Sequence, residues 1–186
     1  MARAMFSGIQ IKTGPTAPDD LKEETAVDAL LGCHDRIRYF TGLSQKLAEA
    51  VGQPANDIAG VAEKVHRYFT VALPLHEADE NVSLDPRLRR SVPEERLVEA
   101  SAEMVRQHKD IDEVVEQLVP MWETLRRNPE ALASIAPALR DRSDRLNTLF
   151  ESHLTLEEQT IFPAIREFLS PADLEAIRAE MNERRK

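Results

Sequence analysis

The sequence predicts an all-α protein, an antiparallel up-down four-helix bundle with a short additional C-terminal helix. Four long segments carry apolar residues at three-to-four spacing, the period of an amphipathic helix, and no segment alternates as a strand does. The breaks between these segments are short and contain proline, glycine or asparagine. Because helices joined by short loops pack as antiparallel neighbours, a four-helix bundle is the expected arrangement.

Three regions are expected along the 186 residues. Residues 1–20 contain glycine and proline without a sustained period, which predicts an irregular N-terminal lead. The bundle is expected over residues 21–169. A charged C-terminal capping helix then occupies residues 170–186, with Ser170 as its N-cap and Asp173 in its first turn.

The first half of the bundle is predicted to be a pair of helices. The first runs over about residues 21–51, and a Gly-Gln-Pro break separates it from a second that begins near Ala55. Pro74 should kink this second helix or interrupt its hydrogen bonds, and Pro86 should end or bend it. A basic connector to Arg90 is then expected.

The second half is predicted to repeat this plan. Ser91 and Glu94 have the spacing of a capping box, which indicates the start of a third helix that ends near Arg127. A loop begins at Asn128, and the fourth helix is expected over about residues 137–169.

One pattern occurs in both the second and the fourth helix. His76 and His153 each precede a glutamate by four residues, Glu80 and Glu157, and each precedes a proline by ten. On a helix, residues four apart lie about 40° apart in projection and about one turn apart along the axis. The imidazole and the carboxylate therefore point the same way, which is a metal-ligand spacing that occurs twice.

The first and third helices each add one histidine to their apolar faces. Taken alone, such a histidine is more readily explained as a hydrogen-bonded core residue. Four imidazoles and two carboxylates that converge on one core instead require cations. Six ligands exceed one tetrahedral zinc and suggest two metals, which the carboxylates could bridge, and nitrogen and oxygen ligands suit iron, manganese or zinc. The candidate metal ligands are His34, His76, Glu80, His108, His153 and Glu157.

Composition excludes several other classes of function. A net charge of −9 argues against nucleic acid or an anionic membrane as a partner. The chain has no run of eighteen apolar residues and no apolar segment typical of a signal peptide near Met1, so a cytoplasmic protein is expected. Cys33 is the single cysteine, which excludes an internal disulfide and a cysteine-rich metal site.

These motifs carry a resemblance to a known family. The order H…HxxxE…H…HxxxE, with the phrases LPLHEADE and HLTLEEQTIFPAI, resembles the hemerythrin-like (HHE cation-binding) domain over about residues 21–169. The resemblance implies a non-haem centre of two iron ions, oxo- or hydroxo-bridged, with O2, peroxide or NO as its small ligand. Manganese and zinc are less favoured. It also implies that the six candidate residues are the iron ligands.

Two departures from the oxygen-carrying members bear on function. Asp112 stands where those proteins have a further histidine, and Glu158 stands at the offset of their aspartate. These differences favour sensing, detoxification or iron handling over oxygen transport, and they leave open a catalase-like or iron-oxidising activity. The alternative is a metal-stabilised interaction or regulatory domain without catalysis. Glu77 and Asp112 are secondary candidates for metal contact, whereas Glu158 is expected at the surface and His66 is expected to be structural.

Overall fold

The computed structural model describes residues 25–92 and 95–186, apart from the side chain of Arg96, and every regular element in these ranges is helical. This confirms the all-α prediction. The predicted lead, and the start of the first helix near residue 21, lie outside the described residues. The α-helices are α1 (Ala26–Ala48), α2 (Ala55–Arg67), α3 (Leu73–Ala78), α4 (Asp85–Ser91), α5 (Glu95–Arg127), α6 (Leu132–Leu156), α7 (Phe162–Phe168) and α8 (Pro171–Glu183). Three π-helical segments are π1 (Tyr68–Ala72), π2 (Asp79–Leu84) and π3 (Glu157–Ile161), and a 3₁₀ turn covers Pro129–Ala131.

The long helices form a closed ring of contacts. α1 packs against α2 and α6, and α5 packs against the same two helices from the other side. α8 lies against π2 and α1. The described chain is therefore a helical bundle with an additional C-terminal helix on its outside.

The first described turn of α1 has a capping box. The Oγ1 atom of Thr25 accepts a hydrogen bond from the Asp28 amide at 3.1 Å, and the Asp28 carboxylate accepts one from the Thr25 amide at 3.2 Å. Both amides would otherwise lack a partner at the helix start. This cap fixes the beginning of the helix that carries the first candidate histidine.

Each π segment directly precedes a short helix whose second residue is a proline. Pro74, Pro86 and Pro163 stand at the second residue of α3, α4 and α7. Proline has no N–H for the carbonyl four residues back, and its ring crowds that carbonyl. A π turn relieves this conflict because it bonds five residues back, as the Phe162 amide does to the Glu157 carbonyl. The interruption predicted at Pro74 is thus present as π1.

Three predicted boundaries need correction. The helix does not end at Pro86 but continues as α4, so the predicted basic connector is helical. Ser91 closes α4, and Glu94, its expected capping partner, lies outside the described residues. The last long helix begins at Leu132 instead of residue 137, so Pro137 lies inside the helix and costs it one backbone hydrogen bond.

The core consists of two apolar clusters separated by a polar layer. One cluster lies at the end of the bundle that contains Trp122 and the other at the end that contains Ile177. In α1, Leu30 belongs to one cluster and Ile37 to the other, with His34 between them. The candidate histidines therefore lie at one level of the bundle, closed off by apolar side chains above and below.

Candidate metal centre

The structure brings the six predicted site residues together at this level. Each long segment contributes one histidine, and all six residues are at most 3% exposed. They form two groups of four that could each hold a metal ion, and both groups share the two glutamates. The first group is His34, His76, Glu80 and Glu157, and the second is Glu80, His108, His153 and Glu157.

Each carboxylate directs one oxygen to each group. Glu157 places Oε2 2.9 Å from His34 Nε2 and Oε1 3.3 Å from His153 Nε2. Glu80 places Oε1 3.2 Å from His76 Nε2 and Oε2 3.2 Å from His108 Nε2. This is the arrangement of two bridging carboxylates between two pairs of imidazoles.

Three of the imidazoles have a hydrogen-bond acceptor on their outer nitrogen. His34 Nδ1 lies 2.8 Å from Glu158 Oε1, and His108 Nδ1 lies 3.1 Å from Asn81 Oδ1. His153 Nδ1 lies 3.2 Å from Gln107 Oε1. Carboxylate and amide oxygens only accept, so Nδ1 carries the proton in each case. With its proton on Nδ1, each of these rings can present the lone pair of Nε2 to the interior.

The interior atoms fit a cation and fit no other partner among the described residues. The Nε2 atoms of His34, His76 and His108, and all four oxygens of the two glutamates, are buried without a hydrogen bond there. An unprotonated nitrogen and a carboxylate oxygen about 3 Å apart present lone pairs to each other, which is unfavourable unless a proton or a metal cation lies between them. The donor set of imidazole and carboxylate suits iron, manganese or zinc.

Burial sets the electrostatics of this layer. It raises the pKa of Glu157 to about 8, with the Glu80 carboxylate adding to the effect, and it raises the pKa of Glu80 well above its usual range. Burial also lowers the pKa of His76 and His153 well below the ordinary histidine value, and neighbouring imidazoles add to the shift. Without metal ions, these shifts favour protonated, neutral glutamates. Bound metal cations would instead stabilise the ionised carboxylates.

The secondary candidates separate into two kinds. Glu77 and Asp112 belong to neither group, although burial and the Asp112 charge raise the pKa of Glu77 to about 7. His66 lies 3.9 Å from Glu123, outside both groups. Glu158 belongs to neither group and is partly exposed, at 31%, but it also contacts both His34 and Arg38, which was not expected. Since Glu157 approaches Nε2 and Glu158 approaches Nδ1 of the same ring, consecutive glutamates hold His34 on both edges.

One buried carboxylate next to the site was not foreseen. Asp79 is completely buried and precedes Glu80 in the chain. Its oxygens accept hydrogen bonds from Arg184 at 2.8 Å and Arg185 at 2.5 Å, just beyond the end of α8. The sequence did indicate that Asp79 is buried, because an aspartate three residues after His76 lies on the inward face of the helix. A buried carboxylate needs a cation, and the C-terminus supplies two arginines.

Comparison with known proteins agrees with this geometry. A family model described as the hemerythrin HHE cation-binding domain matches residues 25–165, and a second match covers residues 100–185, which contain the second copy of the repeated pattern. No curated protein matches the chain. Within the part of the chain that the structure describes, no helix is long and apolar enough to cross a membrane.

Proposed function

We propose, since the chain belongs to the hemerythrin HHE cation-binding domain family, that it is a non-haem di-iron protein that binds or reacts with O2, peroxide or NO. The observation that carries the proposal is the sharing of two buried carboxylates between two pairs of imidazoles. In this proposal the ligands are the six residues of the two groups, and the four long helical segments run up and down in succession. Sensing, detoxification or iron handling would use such a centre.

The chain's own residues determine how the centre is built. Glu80 and Glu157 would place one oxygen on each ion, and the four histidines would each supply Nε2. Outer hydrogen bonds fix the tautomer of three of these rings, and Phe162 stacks on His34 with ring centroids 5.0 Å apart. The apolar clusters on either side exclude water from the layer. Two iron ions held there would supply the electrons to reduce a small oxygen or nitrogen ligand.

The composition of the site favours iron, with manganese and zinc as less favoured occupants. Each group has only four protein donors, two nitrogens and two oxygens. Zinc is satisfied by four ligands, whereas the iron of such centres takes more and would keep a position for a small ligand. That difference makes metal identity the first quantity to measure.

Metal analysis of protein expressed with iron tests the proposal. We expect two irons per chain and a near-ultraviolet absorption that changes when azide is added. Glu157→Gln keeps the shape of the side chain but removes its charge, so it should lose most of the metal. Glu151→Gln is the matched control, because Glu151 is exposed on the same continuous helix. Substantially fewer than two metals per chain in the unmodified protein, without that absorption, would refute the proposal.

Peroxide disproportionation and iron oxidation are the activities to assay on the loaded protein. The Glu157→Gln variant should lose either activity together with its metal. If the variant loses metal and keeps the activity, this site is not its source.

A second candidate function has one specific observation in its favour. Arg184 and Arg185 attach the C-terminal end of α8 to Asp79, the residue before Glu80. A metal-stabilised regulatory domain could use this attachment, because metal binding adds to the stability of the ligand-bearing segment. Chelation should then increase the rate at which trypsin cleaves after these arginines. An unchanged rate would remove the support for this function.

A further inference from the structure

The four histidines of the centre differ in what holds their outer nitrogen. The acceptor of His34 is a carboxylate, Glu158, at 2.8 Å. The acceptors of His108 and His153 are neutral amide oxygens at 3.1 and 3.2 Å. The Nδ1 atom of His76 is buried without a hydrogen bond among the described residues.

Glu158 is itself fixed in position. Its Oε1 atom accepts a second hydrogen bond from Arg38 at 2.7 Å, and the carboxylate is about two-thirds buried. Arg38 lies four residues after His34, so one face of α1 supplies both donors. The Arg38 guanidinium, 2.7 Å from this oxygen, compensates the charge of the carboxylate, so Glu158 presents an anionic acceptor to the imidazole N–H of His34.

An anionic acceptor on Nδ1 changes the basicity of Nε2, the nitrogen that would bind the metal. A carboxylate on Nδ1–H fixes the tautomer and orientation of the imidazole and raises the basicity of Nε2. A neutral amide oxygen fixes the ring but donates less charge. Among the described residues, no other charged side chain near the layer is shown to hydrogen-bond the outer nitrogen of a histidine. Arg185 is paired with Asp79. The outer nitrogen of His108 contacts Asn81, and the structure shows no hydrogen bond from it to Glu77 or Asp112.

We infer that Glu158 is a positioning residue for His34 and that the two metal positions are inequivalent. The position formed with His34 and His76 depends on a charged hydrogen bond that reaches the surface through Arg38. The position formed with His108 and His153 depends on neutral ones. This inference rests on the proposed two-metal site and adds to it a residue that tunes one position.

Titration of the metal-free protein with Co2+ tests the inference. The unmodified protein should bind two ions. Removing such an outer partner typically weakens metal binding about 10- to 100-fold, so Glu158→Gln should weaken one ion by that factor and leave the other unchanged. Arg38→Gln keeps the carboxylate and should weaken the same ion by a smaller factor. Gln107→Glu combined with Glu103→Gln is the reciprocal variant, because Gln107 donates a hydrogen bond to Glu103 at 3.0 Å and the exchange of the two side chains gives His153 an anionic acceptor, which should strengthen the other ion.

Proton NMR of the Co2+-loaded protein supplies a readout that a merely structural role would not move. Ring N–H protons of cobalt-bound histidines give separate, strongly shifted signals, and Glu158→Gln should move or broaden the His34 signal alone. Two ions bound with unchanged affinity and an unchanged spectrum in Glu158→Gln would overturn the inference. Equal weakening of both ions would also overturn it, since the substitution would then act through the fold. Fewer than two ions in the unmodified protein would instead overturn the two-metal proposal.

Discussion

The ion-pair cluster at Asp79 allows a quantitative prediction about stability. Asp79 is 0% exposed, and its described partners are the guanidinium groups of Arg184 and Arg185 and, through Arg184, the Ser83 hydroxyl. Removing both arginines, Arg184→Ala with Arg185→Ala, leaves a buried carboxylate without a cation. Asp79→Asn instead leaves two arginines that water can reach. The arginine double variant should therefore be the less stable of the two.

The magnitude follows from the burial of each partner. Removing one partner of a fully buried ion pair costs about 3–5 kcal/mol, whereas an exposed pair contributes about 0–1 kcal/mol. Asp79 is fully buried, but the Arg184 and Arg185 side chains are 21% and 32% exposed, so water screens one side of the pair. We expect a loss of about 2–4 kcal/mol for the double variant and about 1–2 kcal/mol for Asp79→Asn.

Urea unfolding of the chelator-treated protein, followed by circular dichroism, measures these losses. Lys186→Ala is the matched control, because Lys186 adjoins Arg185 but pairs with Glu183 where both side chains are more than two-thirds exposed. It should change stability by less than about 0.5 kcal/mol. Adding Asp79→Asn to the double variant should recover stability, since the uncompensated charge disappears. A double variant as stable as the control, or a triple variant that shows no recovery, would refute the reasoning.

Three further predictions concern the metal-free protein. Because burial raises the folded-state pKa of Glu157 to about 8, this one group should lower the stability by up to about 1.4 kcal/mol per pH unit as the pH rises towards 8, and Glu157→Gln should change the measured slope in urea unfolding by that amount. Glu80 adds a contribution of the same sign, and the lowered histidine pKa values add one of opposite sign that fades above pH 6.5, but the difference between the variant and the unmodified protein reports Glu157. Ser44→Ala should cost more than Ser143→Ala, by about 1 kcal/mol or more, because Ser44 also accepts the buried Trp122 N–H at 3.1 Å. Thr25→Ala should cost about 1 kcal/mol and increase amide exchange in the first turn of α1.

The sequence was sufficient for the features that local periodicity determines. Apolar residues at helical spacing predicted helices, and every regular element in the described ranges is helical, although the predicted second helix is divided into several segments. The same periodicity placed six polar side chains on apolar faces, and the structure brings all six together. Both results depend on side-chain direction along a single helix, which a regular α-helix fixes.

Contacts between residues distant in the chain could not be predicted in this way. Asp79 and its arginine partners are more than a hundred residues apart, and so are His34 and Glu158. No local pattern states which arginine reaches a buried carboxylate. The boundary at Pro86 failed for a related reason: α4 was expected to be a connector because Pro86 should end or bend the helix, but Arg87 forms two hydrogen bonds to Glu180 of α8. Tertiary contacts thus support helix beyond a proline that the sequence alone marks as a boundary.

The unexpected contact of Glu158 with His34 has a specific physical cause in π3. An angle of about 100° between consecutive residues assumes a regular α-helix, and on that assumption only Glu157 of the pair faces inward. The segment that begins at Glu157 is π-helical because Pro163 cannot donate to the carbonyl of Gln159. In the wider turn, both Glu157 and Glu158 reach His34. The proline ten residues after His153 therefore bears on the site itself, since it favours the turn in which one glutamate can approach the metal position while the next fixes the histidine.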